Sequence, residues 1–223
     1  MRSLLGEFLV IVAGVLAALA VDQWKDTLDD HRLEAGYMER LRNDLAADTA
    51  GFANFDRTML AAKVSVLRDL LEEDALRRLS DRPNLIEDLT FSLFKALPAN
   101  RPTTFEVLES TGGLGLIRDV ELRDAISAYY SGFIHISRIL SEPDGDYTER
   151  MSRALPGAAL YDWRISGKQP TPEELGAGIA KLLRDPELQG AVNSELEYTA
   201  GLAFYLRQSQ QEAADLLRRL DES

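Results

Sequence analysis

The sequence predicts an all-α protein in which one N-terminal transmembrane helix continues into an antiparallel bundle of long helices. Three observations predict this fold class. The stretch from Leu4 to Trp24 is apolar apart from its ends and Glu7, apolar residues then recur every three to four positions, and no later stretch alternates like a strand. We place a transmembrane anchor at residues 1–24 and an extrinsic helical bundle domain at residues 25–223.

The anchor is predicted from its length and from its boundary residues. Fourteen residues from Phe8 to Val21 carry no charge, and the 21 residues from Leu4 to Trp24 rise about 31 Å as a helix, close to the ~30 Å hydrocarbon core of a bilayer. Trp24 and Lys25 form an interfacial anchor at the far boundary, because an amphipathic ring and a cation both favour the headgroup layer.

Two alternatives to the anchor remain open from the sequence. A cleaved export signal would explain Arg2 at the start and the Ala18-Leu19-Ala20 sequence, although the Glu7 carboxylate interrupts its apolar region. A buried helix of a water-soluble protein would explain the apolar run alone. A transmembrane anchor explains both the length of the apolar run and its flanking residues, so we interpret the stretch as an anchor.

Small residues on the predicted anchor indicate where another membrane helix packs. Lipid tails provide no hydrophobic drive between helices, so close backbone approach at small residues determines their contacts. Ala13, Gly14, Ala17 and Ala18 form such a face, and Glu7 adds an ionisable group that either faces protein or reaches the headgroups. We predict these five residues to be the membrane-helix packing site.

Composition excludes several classes of function. The net charge is −12, from 37 acidic and 25 basic residues, and no basic stripe is visible, so we expect no nucleic acid partner. The chain has no cysteine, and neither of its histidines, His31 and His135, follows a glutamate by three positions as di-iron bundles require. We therefore expect no cofactor, no metal and no enzyme activity.

Capping signals divide the rest of the chain into helices. Thr171-Pro172-Glu173-Glu174 combines an N-cap, an N1 proline and an N3 glutamate, and Thr103 with Glu106 predicts a second capping box. The last helix should begin after Asp185-Pro186 and run to about Leu220. We also predict weak points in the first long helix at Gly36 and Gly51.

Two pairs of aromatic residues and one histidine support three further predictions. Tyr161 and Trp163 lie in a Pro/Gly-rich stretch and are possible partner contacts, because recognition residues are often carried by loops. His135 lies between two isoleucines in an apolar helix and is predicted to be a core histidine. Of the adjacent Tyr129 and Tyr130, one is predicted in the core and one at its edge.

Two stretches resemble an uncharacterised bacterial family of single-span membrane proteins. One is Gly6-Glu7, the apolar run, Asp22-Gln23-Trp24-Lys25, then Tyr37, Leu41, Asp44 and Asp48; the other runs from Phe105-Glu106 through Asp119 to Tyr129-Tyr130. The resemblance covers about the first 135 residues and departs in the alanine-rich end of the anchor and in the acidic balance after it. It implies an anchor and a helical domain, with no established activity.

These features favour a non-catalytic accessory subunit that docks on a larger integral-membrane complex, photosynthetic or respiratory, in the bacterial inner membrane. The alternative is a membrane-tethered sensor or ligand-binding bundle that acts through a partner protein. Basic residues after the anchor favour a cytoplasmic domain, whereas the short positive head favours a periplasmic one. We expect the periplasmic side.

Overall fold

The fold is all-helical in a computed structural model that describes residues 2–93, 95, 97–140, 145–155, 167 and 169–222, with side chains from residue 12 onward. This confirms the all-α class for the described residues. In chain order the helices are α1 Arg2–Phe55, α2 Ala61–Asp69, α3 Ala75–Ser80, α4 Leu85–Ser92, α5 Thr103–Thr111, α6 Val120–Leu140, α7 Asp146–Ala154, α8 Pro172–Leu182 and α9 Leu188–Glu222. A π-helical turn, Asp56–Leu60, joins α1 to α2, and a 3-10 turn, Gly113–Leu116, follows α5.

Helix α9 packs antiparallel to α1 and α2. Three ionic contacts establish the direction: Arg42 with Asp221, Asp56 with Arg207, and Lys63 with Glu195. Residue numbers rise from α1 through the π-helical turn to α2, whereas those of their partners on α9 fall, as in an antiparallel pair. Long antiparallel helices were therefore predicted correctly. The expected weak points at Gly36 and Gly51 were wrong, since α1 passes through both without interruption.

The π-helical turn keeps the buried residues before and after it on the same side of the helix. Buried positions along α1 are spaced by four and three residues, which keeps them on one helical face; they are Leu41, Leu45, Asp48, Phe52 and Phe55. The next buried residue, Leu60, comes five positions later. A π turn adds one residue to a helical turn and so returns Leu60 to the buried face.

The two predicted capping boxes have different outcomes. Thr171 forms the predicted capping box with Glu174. The predicted box at Thr103 is wrong, because α5 begins at Thr103 itself, its N-cap is Pro102, and no side chain caps it. After α5, Gly112 adopts a φ of 73°, a left-handed conformation that glycine tolerates best.

Two side-chain predictions in α6 are also wrong. Tyr129 and Tyr130 are both buried, since Tyr129 finds a hydrogen-bond acceptor and Tyr130 stacks on Phe105 at 4.8 Å between ring centroids. His135 is exposed. It comes nine residues after the buried Ile126, about two and a half turns, and therefore points away from the core.

A glycine sets the distance between α7 and α8. A Cβ on Gly178 would lie 2.7 Å from Leu155 Cδ2 and 3.0 Å from the carbonyl oxygen of Ala154, so alanine cannot fit without moving the backbone.

Gly178→Ala is expected to lower the free energy of unfolding by about 1–3 kcal/mol. Gly176→Ala is the control, because no atom lies within 4 Å of its Cβ. It should leave stability unchanged or raise it by up to about 1 kcal/mol. Urea unfolding of both variants measures the contrast, and equal losses would contradict the close approach.

Candidate functional site: the projecting half of α1

The N-terminal half of α1 projects from the bundle as a helix without neighbours among the described residues. Residues 13–33 are all exposed, and the large apolar side chains among them are Val15, Leu16, Leu19, Val21, Trp24, Leu28 and Leu33. The first contact with the bundle is at Glu34, whose carboxylate accepts a hydrogen bond from the backbone N–H of Arg118 at 3.0 Å. The 32 residues from 2 to 33 span about 48 Å.

The structure brings most of the predicted packing residues together on this projecting helix. Ala13, Gly14, Ala17 and Ala18 are exposed, and a Cβ on Gly14 would meet no atom within 4 Å. Trp24 and Lys25 are exposed farther along. The side chain of Glu7 and the whole of Tyr161 and Trp163 lie outside the described residues. The described residues do not support the buried-helix alternative, because none of them covers residues 13–33.

The small-residue face points away from the bundle. Gly14 and Leu41 are 27 residues apart, about seven and a half turns, and the same separation relates Ala18 to Leu45. Leu41 and Leu45 are fully buried in the bundle core. Because α1 is one uninterrupted helix, Gly14 and Ala18 lie on the opposite side from the core-facing seam.

From position 43 onward, the same face of α1 is an exposed strip of small, uncharged residues. Ala50 is 36 residues after Gly14 and Asn54 is 36 after Ala18, ten full turns in each case. The exposed residues from position 43 to position 54 are Asn43, Ala46, Ala50, Gly51 and Asn54. None of them is charged, in a chain of which 28% is charged, so a neighbouring helix could approach α1 closely here.

The side chains that the structure describes begin at residue 12, within the predicted span. Among these, no helix contains a stretch long and apolar enough to cross a bilayer. The predicted span begins at Leu4, and the side chains of residues 2–11 are not among those described.

No protein-family model, curated protein or solved structure matches this chain.

An ionic cluster inside the bundle was missed by the sequence analysis. Lys63 is 1% exposed and Glu195 is 4% exposed, and Lys63 Nζ lies 2.6 Å from Glu195 Oε1. Lys95 Nζ approaches the other carboxylate oxygen at 3.3 Å. Burial lowers the pKa of Lys63, whereas the adjacent Glu195 carboxylate opposes that shift by favouring the ammonium form. The cluster joins α2 to α9.

A second polar cluster holds α1 where it enters the bundle. Asp48 is buried and accepts hydrogen bonds from the hydroxyl of Tyr129 at 2.9 Å and from the backbone N–H of Arg101 at 2.8 Å. Burial raises the pKa of Asp48, while these two donors counteract the shift. One turn earlier, Asp44 accepts a hydrogen bond from the hydroxyl of Thr104 at 2.5 Å. These bonds tie α1 to the start of α5 and to α6.

Several surface grooves lie on the part of the bundle that the structure describes. One groove, near the start of α8, has a volume of about 750 Å³, and Arg82, which lines it, is already held by Asp69 and Asp88. Within the described part of the chain, no three His, Asp or Glu side chains are placed to hold a metal ion. Lys63 lines none of the larger grooves and is engaged by Glu195. The arrangement of these groups is suited to holding helices together.

Proposed function

We propose that the protein is an accessory subunit of the bacterial inner membrane that docks on a larger integral-membrane complex and stabilises it. The observation that carries the proposal is the projecting half of α1, whose large apolar side chains are not covered by any part of the chain that the structure describes. Full burial of each large apolar side chain is worth about 1.5–3 kcal/mol, so leaving seven of them in water is strongly unfavourable. Lipid and a partner protein together would remove that cost.

The helix length sets how this subunit would stand on the membrane. With Leu4 to Trp24 in the bilayer, Trp24 and Lys25 mark its surface, and the first bundle contact at Glu34 is ten residues beyond Trp24. Ten residues rise about 15 Å. The bundle would therefore stand clear of the headgroups, at the height of the extramembrane parts of a photosynthetic or respiratory complex. We place it on the periplasmic side.

The partner would contact α1 on the side opposite the bundle core. Gly14 and Ala18 permit close helix approach within the membrane, and the exposed strip through Ala50 continues the same face outside it. A single neighbouring helix could follow this face from the membrane onto the bundle. The proposal assigns the chain no catalytic role.

The docking face is tested by adding bulk to it. Gly14→Leu together with Ala18→Leu should abolish co-purification with the complex from mildly solubilised membranes, while the chain stays in the membrane fraction, because the added side chains force the helices apart. Ala20→Leu is the matched control, since Ala20 is about 200° around the helix from Ala18. Unchanged co-purification of the double variant would show that this face does not dock.

A further inference from the structure

One fully buried hydroxyl, on Tyr130 of α6, has no partner among the residues that the structure describes. Tyr130 is 0% exposed, and its hydroxyl makes no hydrogen bond with any of them. Buried hydroxyls are nearly always hydrogen-bonded to protein or to ordered water, because removing one from water without a partner costs free energy. The neighbouring Tyr129 follows this rule, since its hydroxyl donates to Asp48 at 2.9 Å. The Tyr130 hydroxyl therefore needs a partner of another kind.

Tyr130 lies between the groups that hold two carboxylates of α1. Its ring makes a T-shaped contact with Tyr129, at 4.9 Å between ring centroids, and it stacks on Phe105. Tyr129 donates to Asp48, and Phe105 directly follows the threonine whose hydroxyl donates to Asp44. Burial raises the pKa of Tyr130, and the negative charges of Asp48 and Asp44 raise it further. Both carboxylates are therefore close to Tyr130, although neither accepts a hydrogen bond from it.

The two carboxylates can accept further hydrogen bonds. An ionised carboxylate has about four lone-pair sites on its two oxygens. Asp48 accepts one bond at each oxygen, from the Tyr129 hydroxyl and from the backbone N–H of Arg101. Asp44 accepts a bond from Thr104 at Oδ2. Lone pairs therefore remain on both side chains for a donor that lies between them and Tyr130.

We infer that an ordered water molecule binds between the hydroxyl of Tyr130 and the carboxylates of Asp48 and Asp44. The water accepts the hydroxyl proton of Tyr130 and donates its own two protons to the carboxylates. Buried waters typically make about three such bonds to groups that would otherwise be unpaired. They bridge polar groups that are too far apart for a direct bond. The inference goes beyond the proposed function, since it concerns the interior of the bundle and does not depend on docking.

A bound cation suits this site less well than water. A cation would contact a lone pair of the Tyr130 oxygen and would leave the hydroxyl proton without an acceptor, whereas water both accepts and donates. In the part of the chain that the structure describes, no group of three His, Asp or Glu side chains could hold a metal ion. The water ties α1 to α6 at the point where the projecting helix enters the bundle.

Tyr130→Phe tests the bridge, because it removes the hydroxyl and keeps the ring. If the hydroxyl has no partner, its removal should leave the urea midpoint of unfolding unchanged or raise it, since an unpaired buried group is destabilising. If water bridges it, the midpoint should fall, which is the result we expect. Tyr129→Phe is the comparison, because it removes a hydroxyl that donates directly to Asp48 and should also lower the midpoint. An unchanged or raised midpoint for Tyr130→Phe would overturn the inference.

A crystal structure of the full chain in detergent shows the site directly. We expect one oxygen peak at about 2.5–3.0 Å from Tyr130 Oη and from a carboxylate oxygen of Asp48 or Asp44, and we expect Tyr130→Phe to lose it. A direct bond from Tyr130 to either carboxylate, or density without such a peak, would overturn the water. A peak surrounded by six or more oxygens at about 2.3–2.6 Å would also overturn it, because that geometry indicates a cation.

Discussion

Replacing Glu195 with leucine is expected to lower the free energy of unfolding by about 3–5 kcal/mol, a large part of the roughly 5–15 kcal/mol that stabilises an ordinary domain. The variant leaves the Lys63 ammonium, 1% exposed, without the carboxylate that lies 2.6 Å away. An uncompensated buried cation is far more costly than a neutral pair of similar volume. Chemical denaturation followed by circular dichroism measures the loss.

The double variant Lys63→Met/Glu195→Leu is the control for this prediction. Removing both charges eliminates the uncompensated cation, so most of the lost stability should return. The free energy of unfolding of Glu195→Leu should also increase as the pH rises. A lysine in the unfolded chain has a pKa near 10.5, whereas burial lowers the pKa of Lys63 in the folded chain. Between these two pKa values the unfolded chain binds more protons, so raising the pH favours the folded chain. A loss below about 1 kcal/mol, independent of pH, would show that water reaches the cluster.

Arginine at the centre of the predicted span is expected to release the chain from the membrane. Leu16 and Leu19 are 61% and 53% exposed and contact no part of the bundle that the structure describes, so their replacement should not disturb the fold. Each arginine near the middle of a membrane helix costs about 2.5–3.5 kcal/mol. Leu16→Arg/Leu19→Arg should therefore move the protein to the soluble fraction after carbonate washing, with its helical content and melting temperature unchanged.

A matched substitution outside the span controls for the added charge. Thr27→Arg/His31→Arg also adds two arginines to the projecting helix, but between the predicted span and the bundle, and it should leave the chain in the membrane. If the Leu16→Arg/Leu19→Arg chain stayed bound as well, attachment would have to occur through another surface. If carbonate released the wild type, residues 4–24 would not form an anchor.

The helices could be predicted from the sequence because their determinants are local. The seam of Leu41 and Leu45 follows helical spacing, and the Thr171 capping box needs only four consecutive residues. The core position predicted for His135 was wrong because it relied on the adjacent isoleucines. Residues next to each other in sequence lie about 100° apart around a helix, so they do not show which face His135 occupies. Counting nine residues from Ile126 would have placed it outside.

The buried charges could not be predicted because they depend on pairing between distant segments. Lys63 and Glu195 are separated by 132 positions and each resembles a solvated residue by itself. The sequence did contain one signal, since Lys63 comes three residues after Leu60 and four before Leu67, on the buried face. The rotational alignment of the small-residue face with the bundle also required the structure, which showed that α1 continues through Gly36.

Co-migration in extracts of native membranes shows whether the chain is part of a larger complex. Membranes are extracted with a mild detergent and separated by size, and each fraction containing this chain is identified by mass spectrometry. If the chain is a docking subunit, it should migrate with a large integral-membrane complex at fixed stoichiometry. Migration alone or as a small homo-oligomer would contradict a docking subunit and would favour the membrane-tethered sensor instead.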